Sequence, residues 1–136
     1  NAVYGGGMSP HHYFRDFAYC DSGMLAWLLV WQIMSRTGKP LSALVGERMA
    51  RYPVSGEINR SVRDAGAVRE RVRERYEKEA LAVTFCDGLS MDMGAWRFNL
   101  RSSNTEPPLR LNVESRGDRA LMETKRDEIL AMMDKE

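Results

Sequence analysis

The chain has 136 residues, of which 20 are Lys or Arg and 19 are Asp or Glu, so its net charge at pH 7 is only +1. This balance excludes a strongly basic nucleic-acid coat and a long acidic tail. Apolar residues make up 43% of the chain and charged residues 29%, which is typical of a folded globular protein.

The cysteines and the most apolar segment exclude two further classes of protein. Cys20 and Cys86 are too few for a disulfide framework or a four-ligand zinc site, and we expect both thiols to be buried as small apolar groups. The segment Met24–Met34 is too short to cross a bilayer, and no signal peptide is visible. The composition therefore predicts a folded cytoplasmic protein with no membrane partner.

Charged and aromatic residues are unevenly distributed along the chain. Residues 1–50 carry seven of the 39 charged side chains but seven of the twelve aromatic ones. Together with Pro53, this shift predicts a domain boundary that separates residues 1–50 from residues 51–136.

The first segment contains an unusually apolar helix. Asp21 and Ser22 can cap its start and Gly38 can end it, while Met24–Met34 is apolar on every face. Such a helix is normally buried on all sides, and 50 residues cannot supply that cover. The cover must come from the second segment, from another chain or from sequence that is missing here. After Pro40, the apolar spacing predicts a second, amphipathic helix.

The second segment begins with a strand and a helix. Val54–Ile58 is predicted to be a short strand, and Asp64–Glu79 a helix. Val68, Val72 and Tyr76 form a narrow apolar stripe along that helix. The remaining Arg and Glu residues alternate in sign, which indicates a solvated face rather than a nucleic-acid patch.

Alternating strands follow this helix. Leu81–Cys86 and Leu89–Met93 lie on either side of Asp87-Gly88, a common hairpin turn. Trp96–Arg101 and Leu109–Glu114 also alternate between apolar and polar residues. Strands of this kind have one apolar face and one polar face.

Asp118 is predicted to cap a last helix that extends to about Asp134, with Met122, Ile129 and Met133 on one face. The order β-α-β-β-β-α then predicts an α+β fold. We expect a four-stranded antiparallel sheet with two helices on its apolar face, preceded by the helical remnant of an α/β domain.

The segment that joins the last two strands concentrates groups that can bind phosphate. Arginine offers a bidentate fork, and hydroxyl groups and loop amides can satisfy the remaining oxygens. The same residues would suit a Ser/Asn-rich turn with an exposed arginine, and composition does not decide between the two. Two prolines that follow stiffen the segment and favour a preorganised site. The residues are Arg101, Ser102, Ser103, Asn104 and Thr105.

This segment, Arg101-Ser102-Ser103-Asn104-Thr105-Glu106-Pro107, resembles the C-terminal phosphate-binding loop of the phosphohexomutases, the phosphomannomutase/phosphoglucomutase family. Residues 4–14 are similar to the family's sugar-recognition loop, usually Gly-Glu-Met-Ser-x-His. The resemblance extends in order over nearly the whole chain. Other similar segments are Asp21-Ser22-Gly23, Ser55-Gly56-Glu57-Ile58-Asn59 and Asp87-Gly88-Leu89.

The resemblance implies that this chain is the C-terminal part of a four-domain enzyme. Residues 1–50 would end the third, sugar-recognition α/β domain, and residues 51–136 would form the C-terminal phosphate-binding domain. The N-terminal domains of the same chain would be its partners and would cover the apolar helix.

The activity implied is that of an isomerase of carbohydrate metabolism, an intramolecular phosphotransferase. It would interconvert mannose or glucose 1-phosphate and 6-phosphate through a phosphoserine and a bisphosphorylated sugar, with Mg²⁺ beside the phosphoserine. The family's Thr-Ala-Ser-His-Asn and Asp-x-Asp-x-Asp loops are absent from these residues. This part would therefore bind no metal, contain no catalytic residue of its own and be inactive alone.

The same resemblance implies which residues bind the substrate. Those of the phosphate loop would hold the phosphate that is not transferred, and those near residue 10 would contact the sugar. His11 would bind substrate or assist proton transfer. The implied residues are Arg101, Ser103, Asn104, Thr105, Ser9 and His11.

One position departs from the family pattern. Gly7 stands where the family has a Glu whose carboxylate accepts hydrogen bonds from the sugar, so sugar binding through this loop is in question. Two alternatives therefore stay open: a non-catalytic relative of the mutases, and a small α+β module that binds RNA or protein. The balanced charge disfavours nucleic acid, because binding to its backbone needs clustered cations.

Overall fold

A computed structural model describes residues 1–7, 11–102 and 108–135 of the chain. It contains two compact units, Asn1–Gly46 and Glu47–Glu136, and the sequence boundary between them falls within a helix. Among the described helices, none combines the length and the apolar character that a membrane span requires.

The first unit contains a two-stranded antiparallel sheet and a long helix. Strand β1 (Tyr4–Gly6) pairs with β2 (His12–Phe14), and one turn of 3-10 helix follows at Arg15–Phe17. Helix α1 spans Gly23–Thr37, and helix α2 (Leu41–Arg51) crosses the boundary between the units.

Ser22 and Gly38 are confirmed as the caps of α1, whereas Asp21, also predicted as a cap, pairs with His11 and His12 instead. The backbone N–H of Leu25 donates to Ser22 Oγ at 3.2 Å, and Gly38 ends the helix at a φ of +66°, where glycine avoids a steric penalty. No residue of α1 is buried, and Trp27 and Trp31 are 52% and 58% exposed. The described part of the chain therefore leaves this apolar helix without the cover that its sequence requires.

The second unit is a five-stranded antiparallel sheet, in the order β3-β7-β6-β5-β4, with two helices. The predicted α+β class, with an antiparallel sheet and two helices, is confirmed. The strands are β3 (Ile58–Ser61), β4 (Ala82–Thr84), β5 (Leu89–Asp92), β6 (Trp96–Ser102) and β7 (Pro108–Ser115). The helices that complete the unit are α3 (Ala65–Tyr76) and α4 (Arg119–Met133), capped by Asp64 and Asp118.

The predicted number of strands is wrong, because the sheet has five strands and not four. The predicted order counts one strand for the hairpin around Asp87-Gly88, whereas β4 and β5 are separate strands paired through Val83 and Met91. β4 is shorter than the strand predicted over Leu81–Cys86, with three residues, and lies at the edge of the sheet.

The first strand of this unit lies further along the chain than predicted. Val54 forms only an isolated bridge with Glu114, and regular pairing begins at Ile58, opposite Leu111. The chain advances four residues from Val54 to Ile58 while β7 advances only three between Leu111 and Glu114. One extra residue on one strand is the mark of a β-bulge. Gly56 supplies the left-handed residue, with a φ of +70°, and interrupts the strand predicted over residues 54–58.

One face of the sheet forms the core with the two helices. Apolar residues at alternate positions of β5, β6 and β7 point toward α3 and α4, and the predicted stripes of both helices are buried. The buried residues are Val68, Val72, Tyr76, Leu89, Met91, Trp96, Phe98, Leu100, Leu109, Leu111, Val113, Met122, Ile129 and Met133.

Tyr76 links the two helices through the one polar atom of its side chain. The ring is 1% exposed, and its hydroxyl donates to Glu128 Oε2 at 2.8 Å. Lys125 Nζ donates to the same oxygen at 2.8 Å and lowers the pKa of Glu128. Burial first, and then the hydrogen bond to Glu128, raise the pKa of Tyr76. The phenol therefore stays protonated, as a buried tyrosine with a paired hydroxyl should.

The expectation that both cysteines are buried is wrong. Cys20 and Cys86 are exposed free thiols. For Cys86 the reason is that β4 ends at Thr84, two residues before the predicted end of that strand. Phe85, in the same short segment, is 68% exposed.

Substitution of Leu111 tests the assignment of the core. The side chain is fully buried at the centre of β7, so Leu111→Ala should lower the free energy of unfolding by about 2–5 kcal/mol. Leu81→Ala makes the same change at a position that is 76% exposed and should cost no more than about 0.5 kcal/mol. Urea titrations followed by circular dichroism measure both values. Equal losses in the two variants would contradict the assignment.

Candidate functional site

The structure describes two of the six predicted substrate-binding residues. Arg101 lies in the second unit and His11 in the first. The other four, which are Ser9, Ser103, Asn104 and Thr105, lie outside the described residues.

Arg101 lies near the end of β6, on the polar face of the sheet. It is directly opposite Arg110 of β7, and the next pair is Ser102 with Leu109. Leu100, one residue earlier, is fully buried, so the alternation of the strand directs Arg101 away from the core. Paired strand residues therefore flank the predicted phosphate loop on both sides.

Two carboxylates hold the guanidinium of Arg101. Its Nη2 donates to Glu57 Oε2 at 2.9 Å, and its Nη1 donates to Asp87 Oδ2 at 3.1 Å. The hydrogen bond to Glu57 contributes most to raising the pKa of Arg101, burial opposes the rise, and the charge of Asp87 adds to it. The guanidinium is therefore charged and oriented, and two of its five N–H groups donate to these carboxylates.

Glu57 also bridges to a second arginine. Its Oε1 lies 3.5 Å from Nη1 of Arg110, while its Oε2 accepts from Arg101. Like charges directly opposite each other on neighbouring strands repel. A carboxylate placed between Arg101 and Arg110 offsets this repulsion and fixes both side chains relative to each other.

The bulge before β3 explains the position of Glu57. The backbone N–H of Ser55 donates to the carbonyl of Val113 at 2.9 Å, and the N–H of Val113 donates to Ser55 Oγ at 2.9 Å. These bonds tie the segment to β7, and Ile58 packs against the core, so Glu57 falls on the polar face. Glu57 is a residue of the site that sequence reasoning missed, although it stands within a segment similar to the family.

The hairpin turn between β4 and β5 provides the other carboxylate. Asn99 Nδ2 of β6 donates to the carbonyl of Asp87 at 2.7 Å. Gly88 has a φ of +76°, and a Cβ at this position would lie 2.5 Å from the carbonyl oxygen of Leu100 and 2.7 Å from Cα of Arg101. The turn thus packs directly against the backbone that carries Arg101, and only glycine fits.

In the first unit, His11 pairs with a carboxylate. Its Nδ1 lies 2.6 Å from Asp21 Oδ2, and the backbone N–H of His12 donates to Asp21 Oδ1 at 2.7 Å. These hydrogen bonds, that from His11 first, lower the pKa of Asp21. If the imidazole is neutral, a proton on Nδ1 leaves Nε2 as its acceptor nitrogen. His12 has a different partner, because its Nδ1 lies 2.7 Å from the hydroxyl of Tyr4.

Among residues 1–7, 11–102 and 108–135, no three His, Cys, Asp or Glu side chains converge in a way that could hold a metal ion. The candidate site in the described part of the second unit is the ionic cluster around Arg101, because this predicted phosphate ligand is held there between two carboxylates. It consists of Glu57, Asp87, Arg101 and Arg110.

The fold and the site define the second unit as an antiparallel α+β domain that has two paired arginines at one end of its sheet. Two family models match the chain: the α/β/α domain III of phosphoglucomutase/phosphomannomutase over residues 1–52, and the C-terminal domain of the same family over residues 57–132. The chain therefore belongs to the phosphoglucomutase/phosphomannomutase family, and the resemblance noted in its sequence is confirmed.

Curated relatives match the same residues. The chain is 58% identical over 129 residues to a protein named "Phosphohexose mutases" from Xanthomonas campestris pv. campestris, covering 95% of this chain and 29% of that protein. It is 57% identical over 133 residues to a "Phosphomannomutase" of Salmonella montevideo, covering 98% of this chain and 29% of that protein. The chain thus spans under a third of the length of these relatives.

A solved structure supports the fold. The crystal structure of a phosphoglucomutase/phosphomannomutase family protein from Burkholderia thailandensis superposes with a TM-score of 0.70 at 24% identity. The match covers 96% of this chain and 28% of that one. At this identity the similarity concerns the fold alone.

The packing of Gly88 against Arg101 can be tested by substitution. Gly88→Ala should lower the free energy of unfolding by more than about 1 kcal/mol, because a strained φ and a contact with backbone atoms add together. Gly117→Ala is the matched control, since its φ is +75° but its nearest neighbour is 3.9 Å away. Urea unfolding should show the smaller loss in the control. A loss at Gly88 no larger than that at Gly117 would contradict the close packing.

Proposed function

We propose that this chain is the part of a phosphohexomutase that recognises the sugar and holds the phosphate that is not transferred. The enzyme would interconvert the 1- and 6-phosphates of mannose or glucose through a phosphoserine and a bisphosphorylated sugar, in the cytoplasm. Family membership and the names of the two relatives support this proposal. The division into a sugar-recognition domain at residues 1–50 and a phosphate-binding domain at residues 51–136 is part of it.

The observation that carries the proposal is the oriented guanidinium of Arg101. It lies at the end of a strand whose partner resumes after the loop, and ion pairs hold it on the polar face. An arginine whose side chain is already held on this face loses little conformational freedom when it binds phosphate oxygens. Ser103, Asn104 and Thr105 follow it directly in the sequence and would add hydroxyl, amide and backbone donors.

A phosphate grip of this kind suits a mutase for a physical reason. The enzyme must accept the sugar in two orientations, with either phosphate in the non-reacting position. Contacts that depend on the phosphate and not on the sugar serve both orientations equally. Their binding energy then positions the other end of the substrate at the reacting centre.

The first unit would contribute Ser9 and His11 to substrate binding. With Nδ1 of His11 paired to Asp21, its Nε2 would be the nitrogen that contacts the sugar or moves a proton. Gly7 offers no carboxylate to the sugar hydroxyls, in contrast to the family pattern. Sugar recognition by this loop would therefore rest on its remaining polar groups.

The metal of the proposed reaction does not fit the described residues of this chain. In the family reaction Mg²⁺ would neutralise charge on the phosphoryl group beside the phosphoserine. No group of three potential ligands lies together among the described residues, so the proposed enzyme would hold this metal with other residues.

Phosphate binding can be followed residue by residue with ¹H–¹⁵N NMR. Titration with inorganic phosphate or glucose 1-phosphate should shift the amide signals of Arg101–Thr105 and saturate. Arg101→Gln should weaken this binding at least about tenfold, because charge-assisted hydrogen bonds are lost.

Arg97→Gln is the matched control for that variant. Arg97 lies on the same strand and face as Arg101 and is also paired to a carboxylate, that of Glu114. The Arg97→Gln variant should bind phosphate as tightly as the unchanged chain. The phosphate-site proposal would be contradicted by amide shifts that do not localise to Arg101–Thr105, or by an equal loss of phosphate affinity in both variants.

The chain by itself should have no mutase activity. It lacks the Thr-Ala-Ser-His-Asn and Asp-x-Asp-x-Asp loops that the family uses for phosphoryl transfer and metal binding. A coupled assay with mannose 1-phosphate or glucose 1-phosphate and Mg²⁺ should give no rate above the protein-free blank. Metal-dependent turnover by the purified chain would refute this expectation.

A further inference from the structure

The four described residues of the ionic cluster around Arg101 together carry no net formal charge. Two arginines, Arg101 and Arg110, face two carboxylates, Glu57 and Asp87, within 3.5 Å. A phosphate dianion gains little from a neutral cluster, and it is repelled by any carboxylate that stays on the guanidinium group it must contact. Phosphate binding by Arg101 is therefore favoured if one carboxylate leaves.

The two carboxylates differ in how firmly they are held. Glu57 is 25% exposed, bridges both arginines and follows a segment that is hydrogen-bonded to β7. Asp87 is 73% exposed and, among the described residues, forms an ion pair only with Arg101, through the longer of the two hydrogen bonds to that arginine. Asp87 is thus the partner that can be exchanged with less loss.

The turn that carries Asp87 also determines how it would leave. Asn99 holds its carbonyl, and Gly88 packs against the backbone of β6, so the main chain of the turn is fixed. The exposed carboxylate can still rotate about its side-chain bonds into water. Release of Arg101 then needs a change of rotamer and no movement of the sheet.

We propose that Asp87 is an internal anion that occupies Nη1 of Arg101 when no ligand is bound and is displaced by the substrate's phosphate, while Glu57 remains as a positioning residue. The inference rests on the proposed function, because it describes how the same arginine changes partners. No covalent bond forms or breaks, and an oxygen of the phosphate takes the place of Oδ2.

Such an exchange sets a threshold for binding. Displacing Asp87 lowers the affinity of every anion that binds through Nη1 of Arg101, by the same factor for each. An anion with no other contact then binds weakly, whereas a ligand with further interactions still binds.

Asp87→Asn tests the exchange on the full chain by NMR titration with inorganic phosphate at fixed, low ionic strength. Asn-Gly forms the same kind of turn as Asp-Gly, so the fold is retained while the charge is removed. The variant should bind phosphate about twofold to fivefold more tightly, as expected for loss of one exposed ion pair. Glu57→Gln should act in the opposite direction and weaken binding about tenfold, because the loss of the charged contacts that orient Arg101 and Arg110 outweighs the gain from removing a negative charge.

Matched variants separate this exchange from a general effect of charge. Asp127→Asn changes the net charge by the same amount as Asp87→Asn, but Asp127 pairs with Arg126 on α4. The phosphate affinity of this variant should therefore equal that of the unchanged chain. Glu79→Gln is the corresponding control for Glu57, because Glu79 pairs with Arg75. In the double variant Arg101→Gln/Asp87→Asn, the gain from the second substitution should disappear.

The outcomes distinguish the two proposals. If the unchanged chain binds no phosphate at Arg101, the proposed function fails, and the exchange fails with it. If it does bind, the exchange alone is refuted by unchanged or weaker binding in Asp87→Asn, by a gain that persists without Arg101, or by tighter binding in Glu57→Gln. Dispersed amide spectra verify that each variant is folded, and Asp87→Ser serves as a second neutral variant.

Discussion

Burial of one face of the sheet determines where the charged groups of the second unit lie. Because side chains alternate along a strand, placing Leu100 and Leu111 in the core puts Arg101 and Arg110 on the opposite face, directly across from each other. A slip of one residue between the strands would exchange the buried and exposed sets. The core therefore fixes the register, and the register brings two like charges together at the end of the sheet.

Two backbone irregularities bring the carboxylates to these arginines. The bulge at Gly56 ends the pairing of one segment and directs Glu57 toward both guanidinium groups. The turn at Gly88 packs so closely on β6 that Asp87 comes within hydrogen-bonding distance of Arg101. Neither position tolerates a side chain without strain, so the arrangement of the site depends on residues that have none.

The sequence predicted the local features of the fold well and the long-range ones less well. The caps at Ser22 and Asp118, and the buried stripe that includes Val72, follow from local spacing and are confirmed. The place of β3 is wrong, because a bulge leaves little trace in an alternating pattern. The strand count is wrong because the predicted order counts one strand for the two arms of the hairpin around Asp87-Gly88.

The same distinction applies to the candidate site. Arg101 was predicted because it begins a recognisable motif. Its partner Glu57 lies 44 residues away in the sequence, and no local pattern relates the two. Likewise, the pairing of His11 with Asp21 follows from the hydrogen bonds around β2, and residue spacing alone does not indicate it.

The paired state of Arg101 has a consequence for how ligand affinity depends on ionic strength. Salt screens the attraction between a bare guanidinium and an approaching anion, so the affinity falls as ionic strength rises. Here Glu57 and Asp87 offset the charge of Arg101, so the long-range attraction that salt could screen is small. The anion affinity proposed for Arg101 would therefore change little over a broad range of salt concentrations.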